Sequence, residues 1–395
     1  MKTCFITCHY PPLARTYRRY KFARLLADGG LDVEVVTHGN VSRALGAFVD
    51  DADLQGDDED LPVHRVRAFP WYVGGELLHR IGVVPCPHVN WLAAAAKRAA
   101  RLAVSSDDTI VSVYPPLTDH IAGYLASRRT GARLVLDYRD DHIGLKTVLQ
   151  RPLAAMWEKR ALERAAVVSV ATEEIGEVLS AAYGVPAEKL QITANGYWDE
   201  VDEEALTFRD EEDIRFVYAG AISPAQGLEV LCRATGELRK RHQALRDRVR
   251  VTVFGPDNLY LKQTLRARMT EGGVEYGGLL SSGQVPEALQ QADVGFLSLS
   301  SSKFTYAVPG KLYEYVAHAR PMLAALPEGA ASRLLEREGF GLVSSPTSVE
   351  GLLENMVQIV DRDRRKSIHE QIIRRREQFA AAPQFHSLAR RIRSL

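Results

Sequence analysis

The sequence predicts an α/β fold of two doubly wound, Rossmann-like domains. Its 395 residues suffice for two domains of roughly 100–200 residues each. A strand at 3–7, a helix at 18–27 and a strand at 33–37 form a βαβ unit at the start of the chain, and such units build parallel sheets. The same alternation begins again after an acidic segment at 199–213.

The composition excludes several classes of protein. Hydrophobic residues make up 46% and the 50 basic residues balance the 50 acidic ones, so no overall positive field recruits nucleic acid or an anionic membrane. The four cysteines include no C-x-x-C pair, which is typical of a reducing cytoplasm. No apolar stretch approaches the ~18 residues that span a bilayer. We expect a soluble cytoplasmic protein without a nucleic-acid partner.

The first domain is predicted at 1–198. After its opening βαβ unit, apolar strand patterns follow at 109–113, 134–137, 167–170 and 190–193, with helical spacing between them. The segment 199–213 holds nine acidic residues and one basic residue, which is typical of a solvated linker.

The second domain is predicted at 214–375. Its first two strands, at 215–219 and 249–254, end at Gly220 and Gly255, and a later strand at 294–298 precedes a polar loop. Two doubly wound domains leave a cleft between the carboxyl ends of their sheets, and ligands of such folds bind there. The remaining residues, 376–395, are predicted to form a C-terminal helix.

The common catalytic motifs are absent from the sequence. It contains no P-loop, H-E-x-x-H or G-x-S-x-G motif, and no G-x-G-x-x-G after the first strand. Cys4, Cys8 and His9 are possible metal ligands, but Cys4 lies in a strand and no fourth ligand is suggested. We therefore expect no metal site and no cofactor.

The start of one predicted helix in the second domain carries two charged side chains that could bind a ligand. Lys311 and Glu314 are three residues apart in the first turn after Pro309-Gly310, so they share a helix face near the positive end of the dipole. Together they could hold a diphosphate and the hydroxyls of a ribose. The alternative is a surface ion pair, and the spacing alone does not separate the two.

A family resemblance rests on these residues and their surroundings. The segment VPGKLYEYVA at 308–317, followed by RPML at 320–323, resembles the donor-binding segment of retaining GT-B glycosyltransferases, the large family that includes capsule, O-antigen and mannosyl transferases. Further motifs agree in order along nearly the whole chain: YPP at 10–12, PP at 115–116, DYRD at 137–140, YGVPAEK at 183–189, NGYWD at 195–199, YAG at 218–220 with QGL at 226–228, and QADVG at 291–295.

The resemblance implies a function and residue roles. It implies transfer of a sugar, with retention and without a metal, from a UDP- or GDP-sugar co-substrate to a hydroxyl of a carbohydrate, lipid-linked or natural-product acceptor. Arg139 and Asp140 would be catalytic, and Tyr10, Arg15 and His142 would lie on the acceptor side. Donor binding would fall to Gly220, Ala221, Gln226, Gly255, Leu279, Tyr306, Ala307, Val308, Lys311 and Glu314, with Glu314 on the ribose, Lys311 near the diphosphate and Leu279 beside the base.

The sequence departs from the family at two cationic positions. Many relatives carry Arg and Lys where this chain has Ala221 and Gln226, so Lys311 would be the main cation for the diphosphate. A sugar-nucleotide epimerase on the same fold and a non-catalytic nucleotide-binding relative are the alternatives. Arg139 and Asp140 could also form a structural ion pair.

The basic C-terminus suggests a further partner. Residues 361–395 contain ten basic and four acidic residues. They could hold anionic lipid headgroups at the inner face of a membrane, or form a solvated helix face. In GT-B proteins the last helix often crosses back onto the first domain.

Overall fold

In the computed structural model, which describes residues 1–11, 13, 17–39, 61–67, 72–140 and 151–395, the chain divides into two units. The first comprises residues 1–194 together with 381–395, and the second comprises 195–380. Among the described residues, no helix is both long enough and apolar enough to cross a lipid bilayer.

The first unit contains a seven-stranded parallel sheet. Its strands are β1 (Lys2–Ile6), β2 (Asp32–His38), β3 (Val63–Val66), β4 (Thr109–Tyr114), β5 (Arg133–Tyr138), β6 (Val167–Val170) and β7 (Leu190–Ile192). Its helices up to residue 183 are α1 (Tyr17–Asp28), α2 (Tyr72–Arg80), α3 (Leu92–Leu102), α4 (Leu117–Thr130), α5 (Arg151–Arg164) and α6 (Glu173–Tyr183). The strand order is β3-β2-β1-β4-β5-β6-β7, so the order reverses between β1 and β4.

Local sequence signals explain these elements. All six residues of β4 are buried, as expected for a strand covered on both faces. Thr172 caps α6 by accepting a hydrogen bond from the Ile175 amide, and helix α4 ends where Gly131 adopts a positive φ of 82°.

The second unit contains a six-stranded parallel sheet. Its strands are β8 (Ile214–Ala219), β9 (Val249–Phe254), β10 (Glu275–Gly278), β11 (Val294–Ser298), β12 (Met322–Ala325) and β13 (Gly341–Ser344), in the order β10-β9-β8-β11-β12-β13. Its helices are α7 (Glu229–Arg241), α8 (Gln243–Arg246), α9 (Arg266–Gly272), α10 (Val285–Gln290), α11 (Gly310–Ala317), α12 (Ala330–Glu338), α13 (Val349–Val360) and α14 (Arg362–Arg375). The prediction of two doubly wound α/β domains is confirmed.

The acidic segment 199–213 differs from the predicted solvated linker. Ala205 is buried, and Val201 and Leu206 pack against the core of the second unit. The guanidinium of Arg320, itself buried, donates a hydrogen bond to the Ala205 carbonyl. The few apolar residues of the segment therefore fix it to the domain while its carboxylates stay at the surface.

The last helix, α15 (Ala381–Arg393), belongs to the first unit. It packs against α1, where the rings of Phe22 and Phe385 meet edge to face with centroids 4.5 Å apart. A Cβ on Gly29 would lie 2.5 Å from the Ala389 Cβ, so this close approach of the two helices requires glycine.

Half of the basic residues after 360 are engaged inside their own unit. Arg362 pairs with Asp210, Arg375 pairs with Glu338, and Arg365 and Arg391 donate to backbone carbonyls. Arg376 lies over the ring of Tyr197. These contacts favour a structural role for much of the local positive charge over a role in lipid binding.

A buried ion pair ties the first unit together at the end of β5. Asp137 is fully buried and accepts from Arg139 Nε at 2.6 Å and from Ser169 Oγ at 2.6 Å. Arg139 also donates to the Thr193 carbonyl at 2.7 Å, and its guanidinium lies over the rings of Phe22 and Phe385. One guanidinium thus connects β5, the segment after β7, α1 and α15.

We expect Asp137→Asn to destabilise the first unit by about 3–5 kcal/mol, because it leaves the Arg139 charge desolvated without its carboxylate. Glu350→Gln is the control, since Glu350 pairs with Arg241 on the surface and should cost less than about 1 kcal/mol. Urea unfolding followed by tryptophan fluorescence measures both, and equal small losses would contradict the structural importance of the pair.

Candidate functional site

Three glycines crowd the carboxyl edge of the second sheet. A Cβ on Gly255 would lie 2.3 Å from the Gly220 carbonyl oxygen, and one on Gly220 would lie 2.8 Å from Lys311 Nζ. Gly220 also has a φ of 154°. The Gly220 amide donates to the Phe254 carbonyl at 3.0 Å, and the Gly255 amide donates to the Gly278 carbonyl at 2.8 Å. The lack of side chains at Gly220 and Gly255 therefore allows neighbouring protein atoms to approach their backbone closely. The amides of both glycines are already engaged in hydrogen bonds to neighbouring strands.

Lys311 projects into this edge from the first turn of α11. Its ammonium nitrogen lies 3.5 Å from the centroid of the Tyr218 ring, within the range of a cation–π contact. Desolvation lowers the pKa of Lys311 to about 7, and no carboxylate among the described residues offsets this effect. The amine is therefore a desolvated cationic group whose charge the surrounding protein does not neutralise.

Helix α11 is held firmly, which fixes the position of Lys311. The Tyr315 hydroxyl donates to the carbonyls of Val217 at 3.2 Å and Phe296 at 3.0 Å. A Cβ on Gly295 would lie 2.6 Å from the Tyr315 ring, so β11 and the helix are in close contact. Glu314 is partly exposed and lies three residues after Lys311. The sequence predicted it in the first turn, but α11 begins at Gly310, so Glu314 falls in the turn that follows.

The turn after β8 is built by its own polar side chains. Gln226 Oε1 accepts from Ser223 Oγ at 2.5 Å, and the Gln226 carbonyl accepts from Ser298 Oγ. Gly227 has a φ of 58°, and a Cβ there would lie 2.8 Å from the Ser300 Cβ. Ala221 contributes its carbonyl, which accepts from the Tyr218 hydroxyl. Gln226 thus supports the loop where relatives carry a cation.

The remaining predicted donor residues differ in what they expose. Leu279 directly follows β10 and is 69% exposed, so an apolar surface is available at this edge. Ala307 and Val308 are partly exposed. Tyr306 is only 5% exposed, so it offers little surface to a ligand.

The predicted site residues of the first unit differ in their exposure and in their contacts. Tyr10 is buried in the core, with its ring 6.3 Å from that of Tyr20, so it is not a surface group for an acceptor. The predicted catalytic role of Arg139 does not fit its position, because Asp137 and Thr193 occupy its guanidinium. Asp140 is partly exposed. Arg15 and His142 lie outside the described residues.

Two groups near Asp140 were not predicted from the sequence. Burial lowers the pKa of Arg19, and the charges of Asp119 and Asp140 oppose that shift. Burial also raises the pKa of the Asp119 carboxyl, which accepts a hydrogen bond from the Cys8 amide at 2.8 Å. Asp119 comes from the first turn of α4, more than a hundred residues after Cys8, so no local pattern reveals this contact.

Two family models match the chain and together span most of it. Residues 16–196 match the glycosyl transferase 4-like domain, and residues 201–377 match the glycosyl transferases group 1. The chain belongs to the glycosyltransferases, since each of its halves matches a model of a glycosyltransferase domain. No curated protein matches the sequence of this glycosyltransferase.

Solved structures of glycosyltransferases share its fold. HepE from Anabaena, solved with UDP-glucose, has a TM-score of 0.73 and 16% identity over 100% of both chains. The lipopolysaccharide outer core galactosyltransferase WaaB has a TM-score of 0.68 and 12% identity over 100% of this chain and 99% of its own. The α,α-trehalose 6-phosphate synthase from Burkholderia multivorans has a TM-score of 0.70 and 12% identity over 100% and 96%. These identities show the fold alone.

The lowered pKa of Lys311 predicts a pH-dependent stability difference. Between pH 7 and about 10 the unfolded chain binds a proton at Lys311 that the folded chain lacks, so the stability contributed at this position rises with pH by up to ~1.4 kcal/mol per unit. We expect Lys311→Met to be more stable than the wild type near pH 6.5 and to lose this advantage toward pH 9.5.

Urea unfolding across this pH range measures the difference, and Lys303→Met, at an exposed position, is the control that should show no such trend. A difference between Lys311→Met and wild type that does not change with pH would contradict the lowered pKa.

Proposed function

We propose that the chain transfers a sugar from a nucleotide-diphosphate sugar to an acceptor hydroxyl, with retention of the anomeric configuration and without a divalent metal. The observation that carries this proposal is the desolvated ammonium of Lys311 in the first turn of α11, beside the glycines that follow β8 and β9. A diphosphate supplies the negative charge that the protein does not.

The chemistry of the departing diphosphate supports this role for Lys311. Negative charge develops on the leaving oxygen in the transition state, and a fixed cation with the positive end of a helix dipole stabilises it. Desolvation strengthens that interaction relative to water. Binding of the diphosphate raises the pKa of the amine, so the group is charged when the bond breaks.

Transfer without a metal is part of this proposal because the family resemblance implies it. A metal-assisted transferase needs carboxylate oxygens to hold Mg²⁺ or Mn²⁺ against the diphosphate. Lys311 and the helix dipole take that role in our proposal.

A UDP-hexose is the donor that we favour. HepE has been solved with UDP and with UDP-glucose, and this chain shares its fold. Glu314 would accept hydrogen bonds from the ribose hydroxyls, and the exposed Leu279 would cover one face of the base. A GDP-sugar is the alternative donor, and calorimetry with UDP and with GDP distinguishes the two.

Asp140 is the group that we propose to polarise the acceptor hydroxyl. It is the partly exposed carboxylate at the end of β5, whereas Asp137 in the same motif is buried in its pair with Arg139. The acceptor would be a carbohydrate, a lipid-linked sugar or a natural product. Membrane contact through the C-terminus has less support, because many of its arginines are engaged within the protein.

We expect Glu314→Ala to weaken UDP binding at least tenfold, since hydrogen bonds to a charged group contribute roughly 1.5–3 kcal/mol. Glu287→Ala is the matched control, because Glu287 is an exposed first-turn glutamate of α10 in the same unit. Calorimetry with UDP and with GDP measures both variants. Equal affinity of Glu314→Ala and wild type for the preferred nucleotide would remove Glu314 from the donor site.

The reaction itself is tested with UDP-sugar and a hydroxyl acceptor in excess EDTA. We expect turnover to continue and NMR of the product's anomeric proton to show the configuration of the donor. An inverted linkage would overturn retention, and loss of turnover restored by Mg²⁺ or Mn²⁺ would overturn the metal-free mechanism. Conversion of the donor sugar without acceptor would point to epimerisation instead.

A further inference from the structure

Three metal-ligating side chains meet beyond the end of β1 in the first unit. The sulfur of Cys8 and one nitrogen each of His9 and His88 lie within 4.8 Å of one another. The two imidazoles contact edge to face, with centroids 4.9 Å apart and planes at 83°. We propose that Cys8, His9 and His88 form a zinc site, with a water molecule as the fourth ligand.

The donor set selects the ion. A thiolate and two imidazoles suit Zn²⁺, whereas Mg²⁺ and Ca²⁺ prefer oxygen ligands. Bonds of about 2.3 Å to sulfur and about 2.0–2.1 Å to nitrogen place the ligand atoms of a tetrahedral site about 3.3–3.6 Å apart. The three ligand atoms, which lie within 4.8 Å of one another, would approach by roughly 1–1.5 Å at most to reach that spacing.

The backbone that carries these ligands is fixed. The Cys8 amide donates to Asp119 at 2.8 Å, and the Thr7 hydroxyl donates to the His9 carbonyl at 3.1 Å. His88 lies in the 3-10 turn Pro87–Trp91, which is in close contact with α2, since a Cβ on Gly75 would lie 2.2 Å from the Pro87 carbonyl oxygen. Such outer contacts hold ligands in place before the ion arrives.

Zinc binding forms the Zn–S bond as the Cys8 thiol proton leaves to solvent, because the thiolate is the form of cysteine that binds a metal. Nearby Arg19 adds positive charge, which the carboxyl of Asp119 opposes.

The zinc site uses none of the charged side chains to which the proposed transfer chemistry gives a role, which are Lys311 and Glu314 in the second unit and Asp140 in the first. A bound zinc ion would connect the segment after β1 to the turn before α3. We expected no metal site from the sequence, because Cys4 lies in a strand and no fourth ligand was suggested beside Cys8 and His9. The structure supplies His88 from eighty residues away.

The experiment uses the untagged full-length chain, stripped of metal with a chelator and then dialysed. Titration with Co²⁺ should give one ion per chain, with thiolate-to-cobalt charge transfer and the intense visible bands of a four-coordinate ion. Calorimetry with Zn²⁺ should show Cys8→Ser weakening binding at least ~100-fold and His88→Gln at least ~10-fold. Cys232→Ser and His242→Gln, in the second unit, are matched controls that should bind as the wild type does.

Circular dichroism of the metal-free variants checks that they fold, and His88→Gln provides the decisive measurement if Cys8→Ser does not. Absence of charge transfer, a six-coordinate cobalt spectrum, or Zn²⁺ binding unaffected by both substitutions would overturn the proposal. Turnover in EDTA reports separately on the transfer reaction, so the two proposals fail independently.

Discussion

The second unit is organised around a desolvated ammonium group. Removing a charge from water is costly unless an opposite charge compensates, yet Lys311 is held over Tyr218 by packing alone. Tyr315 anchors its helix to the sheet, and Gly220 leaves the space that its amine occupies. The glycines at the strand ends, the close helix contact and the lowered pKa are parts of one arrangement, in which an anion is the missing partner.

In the first unit, by contrast, buried charges lie next to opposite charges. Asp137 and Arg139 neutralise each other inside the domain and connect four elements through one guanidinium. Asp119 is buried near Arg19. Charges that pair internally contribute stability and specificity of packing, whereas an uncompensated charge stores interaction energy for a ligand. This contrast is why we propose donor binding at the second sheet edge. We propose Asp140 as the reactive carboxylate of the first unit because it is partly exposed at the end of β5.

Most strands, their order of appearance and the glycines that follow them could be predicted because they depend on local periodicity. The short edge strands β3 and β13 were not predicted. The ion-pair partner of Arg139 could also have been predicted from the sequence, because residues two apart lie on the same face of a strand and Asp137 is two residues away. The packing of the acidic segment 199–213 was more difficult to predict. Its many charges obscure the three apolar residues that attach it to the core of the second unit. Contacts such as Tyr218 with Lys311 join distant segments, and no pattern in one sequence encodes them.

The absence of cationic side chains at Ala221 and Gln226 has a physical consequence for the proposed donor site. Gln226 closes the turn after β8 through Ser223 and Ser298, so the substitution preserves the loop while removing its charge. Three permanently charged groups would hold a diphosphate by a field that changes little near neutral pH. In our proposal the countercharge is concentrated on one amine with a pKa of about 7, which would become fully protonated only with the anion bound. The proposed donor binding would therefore be coupled to proton uptake, and release of the nucleotide would return the amine to its partly neutral state.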